Sequence, residues 1–419
     1  MTDQPTTQRT GCLVVGGGPA GMVLGLLLAR GGVEVTVLEK HGDFLRDFRG
    51  DTVHPTTLDL LDELGLGEEF ERIPHRRIDQ IQLPVAGGIQ QVVDISGLRG
   101  KHNYIAMVPQ WDLLDLLARA GAAEPTFTLR MNTEATDLLV DGGKVTGVRY
   151  RTADGGTGEI TAGLTVACDG RGSVLRRAAG LMPKDWPTPM DAWWFRLPRR
   201  DSDPAGLIPV ISHHRATVMI DRGDYWQCAV LIHKGSDPQA RTRPVEEMVA
   251  TIAEAIPWIA DRVDAVASWD EVRLLDVKLD RLRRWYRDGL LCIGDAAHAM
   301  SPVGGIGINL AVQDAVATAR LLAAPLRDGT VGVEDLARVQ RRRTVPTMVL
   351  QGVQRLIHER ALRPALDGRI EIARATRVPL PVRILGRLPF LRTIPAYVFA
   401  RGPLPEHAPD FARREPVRT

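Results

Sequence analysis

The stretch that decides the fold is Cys12–Lys40, which reads CLVVGGGPAGMVLGLLLARGGVEVTVLEK. A short apolar run leads into a glycine turn with the spacing G-x-G-x-x-G, formed by Gly16, Gly18 and Gly21. A segment with helical apolar spacing follows, and a second strand-like run ends at Glu39, 18 residues beyond Gly21. Strand, glycine turn, helix, strand and terminal acid are the parts of a dinucleotide-binding unit.

Each part of this unit has a physical reason at a dinucleotide site. Gly16 permits the tight turn, Gly18 lets backbone N–H groups approach a pyrophosphate, and Gly21 lets the helix pack close to the strand. The helix N-terminus adds partial positive charge beside the phosphates. An acid at Glu39 suits a ribose with free hydroxyls, as in FAD or NAD, and disfavours a 2′-phosphate. The motif alone does not separate FAD from NAD, and an ordinary tight turn is the competing interpretation of the glycines.

A second glycine-rich stretch, Leu290–Ala315, reads LLCIGDAAHAMSPVGGIGINLAVQDA. An apolar strand-like run stops at Asp295, and a proline, several glycines and Asn309 precede a new amphipathic pattern. Ligands of open α/β sheets bind beyond the carboxyl ends of the strands, which is where this acid lies. The stretch therefore predicts a second part of a ligand site.

Composition and charge limit the class of protein. With 419 residues and 44% hydrophobic content, the chain can bury a substantial core in two or three structural units. The formal net charge of +2 gives no indication of nucleic-acid binding. Residues 331–419 contain 17 Arg, no Lys and 8 acids, which we interpret as a solvated basic face. Weak contact with a membrane surface or an acidic partner is the second interpretation.

The cysteines and termini predict a cytoplasmic protein. No CxxC pair occurs, which favours buried free thiols in a reducing compartment for Cys12, Cys168, Cys228 and Cys292. The N-terminus is polar and lacks an apolar signal core. The apolar stretch Leu388–Ala400 is interrupted by prolines and an arginine, so we expect no transmembrane segment.

Four stretches together resemble the class A FAD-dependent monooxygenases, the family of para-hydroxybenzoate hydroxylase. They are GGGPAG at 16–21, DFRGDTVHPTTLDLLDELGL at 47–66, LTVACDGRGSVLRRAAG at 164–180 and GDAAHAMSPVGGIGIN at 294–309. They occur in the family's order, and the resemblance covers most of residues 11–345. It implies an α/β fold in which a Rossmann-type FAD-binding domain carries an inserted β-sheet substrate domain and a helical C-terminal region.

The resemblance also divides the chain. We expect a discontinuous FAD-binding domain at 9–75, 104–185 and 275–345, a substrate-binding sheet at 76–103 and 186–274, and a helical, proline-rich C-terminal region at 346–419. Both sheet segments alternate like strands between turn residues. The segment from Val333 to Pro364 reads as helical, with an interruption at Pro346.

The family's pattern implies roles for individual residues around FAD. Arg49 would pair with the pyrophosphate, since a planar guanidinium suits phosphate oxygens. Gln110 would touch the ribityl and phosphate region, and Asp169 would shape both the FAD site and the nicotinamide approach. The ADP half of FAD would be held by Gly16, Gly18, Ala20, Gly21, Glu39 and Lys40.

The second glycine-rich stretch would serve the flavin itself. Asp295 would accept a hydrogen bond from a ribityl hydroxyl, and the carbonyl of Pro302 would lie near the reactive edge. A helix would begin there and aim its amides at the N1–C2=O edge, where reduced flavin carries negative charge. Its contributing residues would be Gly305, Gly307, Ile308 and Asn309.

Structural interpretations compete with these roles. Asp169 and Asp295 are placed to cap helices, Asn309 and Gln110 are helix-start residues, and Arg49 would suit the surface. Chance capping does not, however, explain four motifs in the family's order.

His298 follows the second acid and suggests catalysis. We interpret it as a packed histidine, because no acid or nucleophile pattern accompanies it.

The substrate domain gives weaker signals. We expect Trp193, Phe195 and Trp226 to line a substrate chamber on the inner face of the sheet, with plain core packing as the alternative. Ile306 stands where the para-hydroxybenzoate enzyme carries a lysine. Without that positive charge, a small charged aromatic acid is a less suitable substrate than an apolar molecule.

The resemblance implies an NAD(P)H-consuming monooxygenase with non-covalent FAD. A flavin C4a-hydroperoxide would hydroxylate or epoxidise an apolar, aromatic or polyketide-like metabolite with O₂, and no side chain or metal is assigned to the chemistry. NADH or NADPH would dock transiently, because the chain has no second GxGxxG. The alternatives are an FAD-dependent reductase or dehydrogenase, a non-redox FAD-containing cyclase, and a flavin-dependent sensor or carrier.

Overall fold

A computed structural model of the chain describes residues 7–45, 52–85, 88–212, 215–369 and 393–415. In chain order the strands are β1 (Thr7–Val15), β2 (Val35–Leu38), β3 (Thr52–Val53), β4 (Arg76–Ile78), β5 (Gln80–Val85), β6 (Gly88–Asp94), β7 (Ile105–Met107), β8 (Phe127–Arg130), β9 (Thr133–Asp141), β10 (Lys144–Thr152), β11 (Thr157–Ala167), β12 (Pro183–Asp185), β13 (Met190–Pro198), β14 (Leu207–Ser212), β15 (Arg215–Asp221), β16 (Tyr225–His233), β17 (Arg273–Leu275), β18 (Asp280–Leu282), β19 (Tyr286–Arg287) and β20 (Leu290–Cys292). The α-helices are α1 (Pro19–Arg30), α2 (Pro55–Glu63), α3 (Gly67–Glu71), α4 (Gln110–Ala122), α5 (Val174–Ala178), α6 (Asp237–Ala240), α7 (Val245–Ala255), α8 (Gly307–Arg327), α9 (Val333–Ile357), α10 (Arg363–Leu366) and α11 (Thr393–Ala400). Short 3₁₀ turns lie at Pro257–Ala265, Trp269–Glu271, Gly294–Ala296, Val303–Gly305 and Asp410–Ala412, and a π-helical turn lies at His358–Leu362.

The fold is α/β, built on a sheet with the strand order β19–β20–β11–β1–β2–β8. β1 lies parallel to both β2 and β11, and β20 lies parallel to β11. The ends of these strands are in register, since Val15 is the Cα partner of Leu38 and Ala167, and Ala167 is the partner of Cys292. The segments that follow the four strands therefore meet at one edge of the sheet: the glycine turn, Glu39, Asp169 and Gly294–Asp295.

Helices α1 and α8 cover this sheet and pack against each other. All residues from Ala20 to Ala29 are buried, because the helix lies between the sheet and its neighbours α4 and α8. A Cβ on Gly25 would lie 2.8 Å from the side chains of Val37 and Phe127, so glycine permits this close helix–sheet approach. Residues Val303–Arg327 are long and apolar enough to cross a membrane, but 78% of their apolar window is buried, which indicates a core helix.

A second, antiparallel sheet has the strand order β14–β15–β16–β13–β17. One of its faces packs against α7 and the 3₁₀ segment Pro257–Ala265. The other face, here called the inner face, carries Trp194, Val218 and Ile220, which pack near β4, β7 and α11. Trp194 and Ala192 also pack in the same apolar cluster as Val303 of the second glycine-rich stretch. The inner face is therefore turned toward the edge of the first sheet where the glycine turn, Glu39, Asp169 and Gly294–Asp295 meet, here called the ligand edge.

The predicted interruption at Pro346 is wrong, because α9 continues through that proline. Proline removes one helical hydrogen bond and crowds the preceding turn, which ordinarily ends or kinks a helix. Here the residues around it are buried against the core, namely Arg343, Thr347 and Leu350. Tertiary packing over α9 outweighs the local cost.

The C-terminal residues 402–412 return to the FAD-binding part of the chain. The backbone N–H of Ala408 donates to Oε2 of Glu63 on α2 at 2.6 Å. Arg342 on α9 binds Glu406 through two hydrogen bonds. This tail therefore joins α2 and α9.

Candidate cofactor-binding and active site

The glycine turn between β1 and α1 combines two structural glycines with an open one. Gly16 has φ +109°, and a Cβ there would lie 2.4 Å from the carbonyl oxygen of Cys168. A Cβ on Gly21 would lie 1.9 Å from the carbonyl oxygen of Gly16. Around Gly18, by contrast, a Cβ would meet no atom of the described residues within 4 Å. Gly16 and Gly21 are required by the protein itself, whereas Gly18 borders open space that a phosphate can occupy.

Glu39 has a structural role that the sequence did not reveal. Its Oε2 accepts a hydrogen bond from the backbone N–H of Gly17 at 2.9 Å. Its Oε1 accepts one from the N–H of His41 at 3.1 Å, and the residue is only 2% exposed. The predicted ribose acceptor therefore also fixes the glycine turn. The neighbouring Lys40 is exposed, and Ala20 is buried in the first turn of α1.

Asp169 at the end of β11 divides its two carboxylate oxygens between different roles. Oδ2 accepts hydrogen bonds from the N–H groups of Val174 and Leu175 at the start of α5. Oδ1 is buried and has no hydrogen-bond partner among the described residues. Burial raises the pKa of Asp169, although hydrogen bonds from Ser173 and the α5 backbone oppose that shift. The capping role is real, and the remaining oxygen fits a hydroxyl donor of a bound cofactor.

Asp295 lies on a turn held between two helices. Gly294 has φ +57°, and a Cβ there would contact the Cβ atoms of Ala311 on α8 and Ala20 on α1 at 3.1 and 3.4 Å. The Asp295 side chain is 30% exposed, and its Oδ2 lies 3.4 Å from a guanidinium nitrogen of Arg171. Its carboxylate is thus accessible at the edge where the Gly16–Gly21 turn also opens. A ribityl hydroxyl fits this position as a hydrogen-bond donor.

The second glycine turn is held by residues from β3 and the start of α2. Gly304 and Gly305 have φ +79° and +63°, a conformation that favours glycine. The carbonyl oxygen of Gly305 accepts a hydrogen bond from Oγ1 of Thr52 at 2.8 Å and lies 3.1 Å from Nε2 of His54. These contacts fix the turn immediately before α8.

Asn309 is held in the same way from α2. Its Oδ1 accepts hydrogen bonds from the hydroxyls of Thr56 and Thr57 at 2.7 and 2.8 Å. The side chain is therefore part of the α2–α8 contact. Pro302, which precedes the turn, accepts a hydrogen bond from the N–H of Gly305 at 3.0 Å. The first two residues of α8 are Gly307 and Ile308, with half-buried side-chain positions.

Sequence reasoning missed His54, which is fully buried beside this turn. Burial lowers the pKa of His54 to about 4, so the imidazole is neutral at neutral pH. A neutral ring that donates from Nε2 to the Gly305 carbonyl leaves Nδ1 as an acceptor, and Nδ1 has no partner among the described residues. The signal in the sequence was a histidine directly before the Pro-Thr-Thr start of a helix.

Of the two remaining predicted cofactor contacts, the structure describes Gln110 but not Arg49. Gln110 is the first residue of α4 and is half-buried. Arg49, the predicted pyrophosphate partner, lies outside the described residues. Among the residues that are described, no group of three or more His, Cys, Asp or Glu side chains is arranged to hold a metal ion. All four cysteines are free thiols.

The predicted chamber residues lie on the face of the sheet opposite to the inner face. Trp193, Phe195 and Trp226 are at most 2% exposed and pack with α7 in a closed core. The structure thus places them in the core role that the sequence left open, and the lining prediction is corrected. Successive side chains on a strand point to opposite faces, so Trp194 on β13 lies on the inner face instead. Its indole N–H is buried and has no partner among the described residues.

His298 is packed as predicted, with 1% exposure, but the absence of an acid partner was wrong. Its Nε2 lies 2.5 Å from Oδ2 of Asp314 on α8. Asp314 is 16 residues away in sequence and was not recognised as a partner.

Taken together, the edge fits a flavin dinucleotide. Among the described residues it offers open space at Gly18, a carboxylate oxygen of Asp169 without a hydrogen-bond partner and an accessible carboxylate on Asp295. Phosphates, ribose hydroxyls and a ribityl chain are the groups that such a set accommodates.

Comparisons with known proteins indicate the same cofactor. A sequence profile described as FAD binding domain matches residues 9–353. The chain is 36% identical over 361 residues to a 6-methylpretetramide 4-monooxygenase of Streptomyces rimosus, and the match covers 83% of this chain and 84% of that protein.

Two further comparisons agree. The chain is 30% identical over 340 residues to a 12-dehydrotetracycline 5-monooxygenase/anhydrotetracycline 6-monooxygenase of Streptomyces rimosus subsp. rimosus. That match covers 74% of this chain but only 61% of the relative, so the chain spans less than two thirds of its length. A solved structure of an anhydrotetracycline hydroxylase from Streptomyces rimosus superimposes with a TM-score of 0.71 at 25% identity, covering 94% of this chain and 76% of that one.

Proposed function

This chain belongs to the FAD-binding domain family and is an FAD-dependent monooxygenase, and we propose that it oxygenates a polycyclic aromatic polyketide. The observation that carries the proposal is the position of the apolar inner face opposite the ligand edge. Trp194 and Ala192 on that face pack in one cluster with Val303, which precedes the Gly304–Gly305 turn. The names of the two relatives given above state that they act on 6-methylpretetramide, 12-dehydrotetracycline and anhydrotetracycline, which supports a fused-ring substrate for this chain.

Bound FAD supplies the redox and oxygen chemistry, with NAD(P)H as the electron donor. We propose that the open turn at Gly18 admits the pyrophosphate, and that Glu39 accepts from the adenosine ribose while it holds Gly17. Asp169 and Asp295 would accept from hydroxyls of the cofactor, through the oxygen atoms that the protein leaves free or exposed.

The start of α8 would stabilise negative charge on the cofactor. Helix N-termini carry partial positive charge, and Gly307 and Ile308 present the first amides of α8. The Gly304–Gly305 turn fixes their direction, because Thr52 and His54 hold the Gly305 carbonyl from the opposite side. Phe399 and Thr52 occupy the space that side chains at Gly304 and Gly305 would need. We propose that a flat ring system approaches the backbone of the turn from the side that these two residues do not cover.

The remaining task of the protein is to exclude water from the reacting groups. Helix α11 contributes to this by packing Ala396 and Ala400, both 0% exposed, in the cluster that contains Trp194 and Val218. Phe399 of the same helix lies beside the second glycine turn, since a Cβ on Gly304 would meet its ring at 2.5 Å. We propose that Trp194 and Phe399 line the substrate chamber between the inner face and the second glycine turn.

Purified enzyme with bound FAD tests the proposal directly. With a tetracyclic phenol and either NADH or NADPH, we expect one O₂ consumed per reduced nicotinamide and one oxygen atom gained by the product. Product formation without O₂ uptake would contradict oxygenation and would show that the enzyme catalyses a non-redox reaction. Nicotinamide oxidation that releases only H₂O₂ with every fused-ring phenol tried would contradict the proposed substrate class.

Two coarser features complete the proposal. We propose that the enzyme acts in the cytoplasm, which is supported by four free cysteines in the chain. We also propose the division into FAD-binding, substrate and C-terminal parts at the boundaries stated above, except that α9 continues through the boundary at 345/346. Limited proteolysis at the other boundaries tests this division.

A further inference from the structure

A buried ion-pair network connects the C-terminal tail to the turn that carries Asp295. Its first member is Asp314 of α8, which is 0% exposed. Oδ2 of Asp314 accepts a hydrogen bond from the backbone N–H of Gly294 at 3.1 Å, and Oδ1 accepts one from Nε of Arg343 at 2.9 Å. One carboxylate therefore joins the Gly294–Asp295 turn to α9.

The second half of the network lies in the tail. Glu406 is 3% exposed, and its carboxylate lies 3.6 Å from Nη1 of Arg343. Nε and Nη2 of Arg342 donate hydrogen bonds to the two oxygens of the same carboxylate, at 2.6 and 2.9 Å. Gln313 of α8 accepts the backbone N–H of Glu406. Arg343 is thus held from two sides, by Asp314 and by Glu406.

Charge balance makes the members of this network depend on one another. Asp314 and Glu406 carry two negative charges, and the cations that pair with them are Arg343, Arg342 and Arg320. Nε2 of His298 is a further partner of Asp314, at 2.5 Å from its Oδ2. Removing one partner of a buried ion pair leaves the other charge uncompensated, at a cost that surface pairs do not have. Without Glu406, Arg343 would bear its charge in the interior with Asp314 as its single close partner in the network, and the guanidinium would relax toward solvent.

We infer that Glu406 is a positioning residue for the FAD site, acting through Arg343 and Asp314 on the Gly294 N–H and hence on the Asp295 carboxylate. Gly294 is closely packed, because a Cβ there would meet the Cβ atoms of Ala311 on α8 and Ala20 on α1 at 3.1 and 3.4 Å. The link from Asp314 to the turn is its hydrogen bond with the Gly294 N–H, and we expect a shift of Asp314 to lengthen that bond and loosen the turn. The inference rests on FAD binding and is independent of the proposed substrate.

The chain offers a matched control in Glu63. This residue holds the same tail, through the N–H of Ala408 and the ring of His407, but from α2. Among the described residues, the hydrogen bonds and ion pairs of its carboxylate are with His407, Ala408 and Arg413, and none is with Asp314, Arg343 or Gly294. Glu406→Gln and Glu63→Gln each remove one carboxylate that docks the tail, and only the first interrupts the network.

The experiment measures FAD binding and backbone protection for both variants. We expect Glu406→Gln to raise the FAD dissociation constant by roughly tenfold or more and to alter the visible circular dichroism of the bound flavin. In the apo-protein, amide hydrogen exchange in the peptide that contains Gly294 should accelerate. Glu63→Gln should stay within about twofold of wild type in affinity, with unchanged dichroism and exchange, even if both variants lose equal thermal stability.

Equal behaviour of the two variants in FAD affinity and in Gly294 exchange would overturn the inference, because tail docking alone would then explain it. If Glu406→Gln does not fold, Glu406→Asp keeps the charge with a shorter reach and should fall between wild type and complete loss of the effect. Wild-type affinity and dichroism in Glu406→Asp together with wild-type Gly294 exchange would also overturn it. Failure of the wild-type protein to oxygenate fused-ring phenols would reject the substrate proposal and leave this result standing.

Discussion

The two glycine turns of the ligand edge are held in opposite ways. The first turn is fixed within its own βαβ unit, since Glu39 binds the N–H of Gly17 only 22 residues earlier. The second turn depends on Thr52 and His54, which are 253 and 251 residues away from Gly305. The first is a local motif, and the second is an assembly of distant segments. Local motifs can be recognised from sequence, whereas assemblies of this kind become visible only in the fold.

The largest expected effect breaks the first turn. In Gly21→Ala the new methyl group would lie 1.9 Å from the Gly16 carbonyl oxygen, which is backbone and cannot move aside. We expect little folded protein. At Gly18 φ is −77°, and an added Cβ would meet no atom within 4 Å in the part of the chain that the structure describes. For Gly18→Ala we therefore expect an unchanged melting temperature of the apo-protein and weaker FAD binding.

Thermal unfolding and FAD titration of the two alanine variants check this contrast. Folded, FAD-binding Gly21→Ala would show that the turn is less tightly fixed than the close contact implies. Wild-type FAD affinity in Gly18→Ala would place the phosphates elsewhere.

The contrast between the turns also explains how much of the site the sequence predicts. The Gly16–Gly21 turn, Glu39, Asp169 and Asp295 each follow a strand, and parallel pairing brings strand ends to one edge. Their approximate convergence follows from the pattern and the family resemblance. The hydrogen bond of His54 does not, because Gly305 lies 251 residues away. Asp314 lies in the same glycine-rich stretch as His298, 16 residues away, but no sequence pattern marks the two as partners.

The error on β13 has a similar physical cause. Alternation of apolar and polar residues identifies the buried face of a strand, but Trp193, Trp194 and Phe195 form an uninterrupted aromatic run. Because both faces of this strand are covered, by α7 and by α11, the sequence offers no signal for which face is which. A strand with two buried faces reads as a continuous apolar run.

The second largest expected effect is a pH dependence that belongs to the second turn. Burial lowers the pKa of His54 to about 4 from its ordinary 6.5. Between these values the unfolded chain binds a proton that the folded protein does not, so the free energy of unfolding falls as the pH falls. The integrated loss is about 3 kcal/mol by pH 4.

His54→Gln keeps a side-chain N–H for the Gly305 carbonyl and removes the titration, so we expect a shallower loss of stability between pH 6.5 and 4. Denaturant unfolding at several pH values measures the slope, and the same change at His407, whose side chain is 54% exposed, is the control. Equal slopes in wild type and His54→Gln would show that His54 does not carry this dependence.

A smaller effect concerns the wall that α11 adds to the second turn. Phe399 contacts Gly304, so its ring limits the space beside the turn. In Phe399→Leu we expect a three-ring dihydroxyanthraquinone to gain affinity relative to a two-ring hydroxynaphthoquinone. The ratio of their dissociation constants should change by about fivefold from wild type, which is roughly the free energy of burying one or two methylene groups. Perturbation of the flavin absorbance gives both dissociation constants. Tyr397→Leu, at a 46% exposed position of the same helix, should leave the ratio unchanged. A shift of equal size there would assign the effect to α11 as a whole.

The smallest expected effect tests whether distant contacts at the second turn are redundant. Thr56 and Thr57 both donate to Oδ1 of Asn309, so loss of one donor leaves that buried oxygen satisfied by the other. Thr57→Val should cost only about 0.5–1 kcal/mol in the free energy of unfolding, whereas the double valine variant should lose about 1–3 kcal/mol beyond the sum of the single changes, because it leaves the oxygen unpaired. Urea unfolding of the four proteins in this cycle measures the coupling. Additive losses would mean that water or another group reaches Asn309, and the second turn would then be less dependent on α2 than its hydrogen bonds indicate.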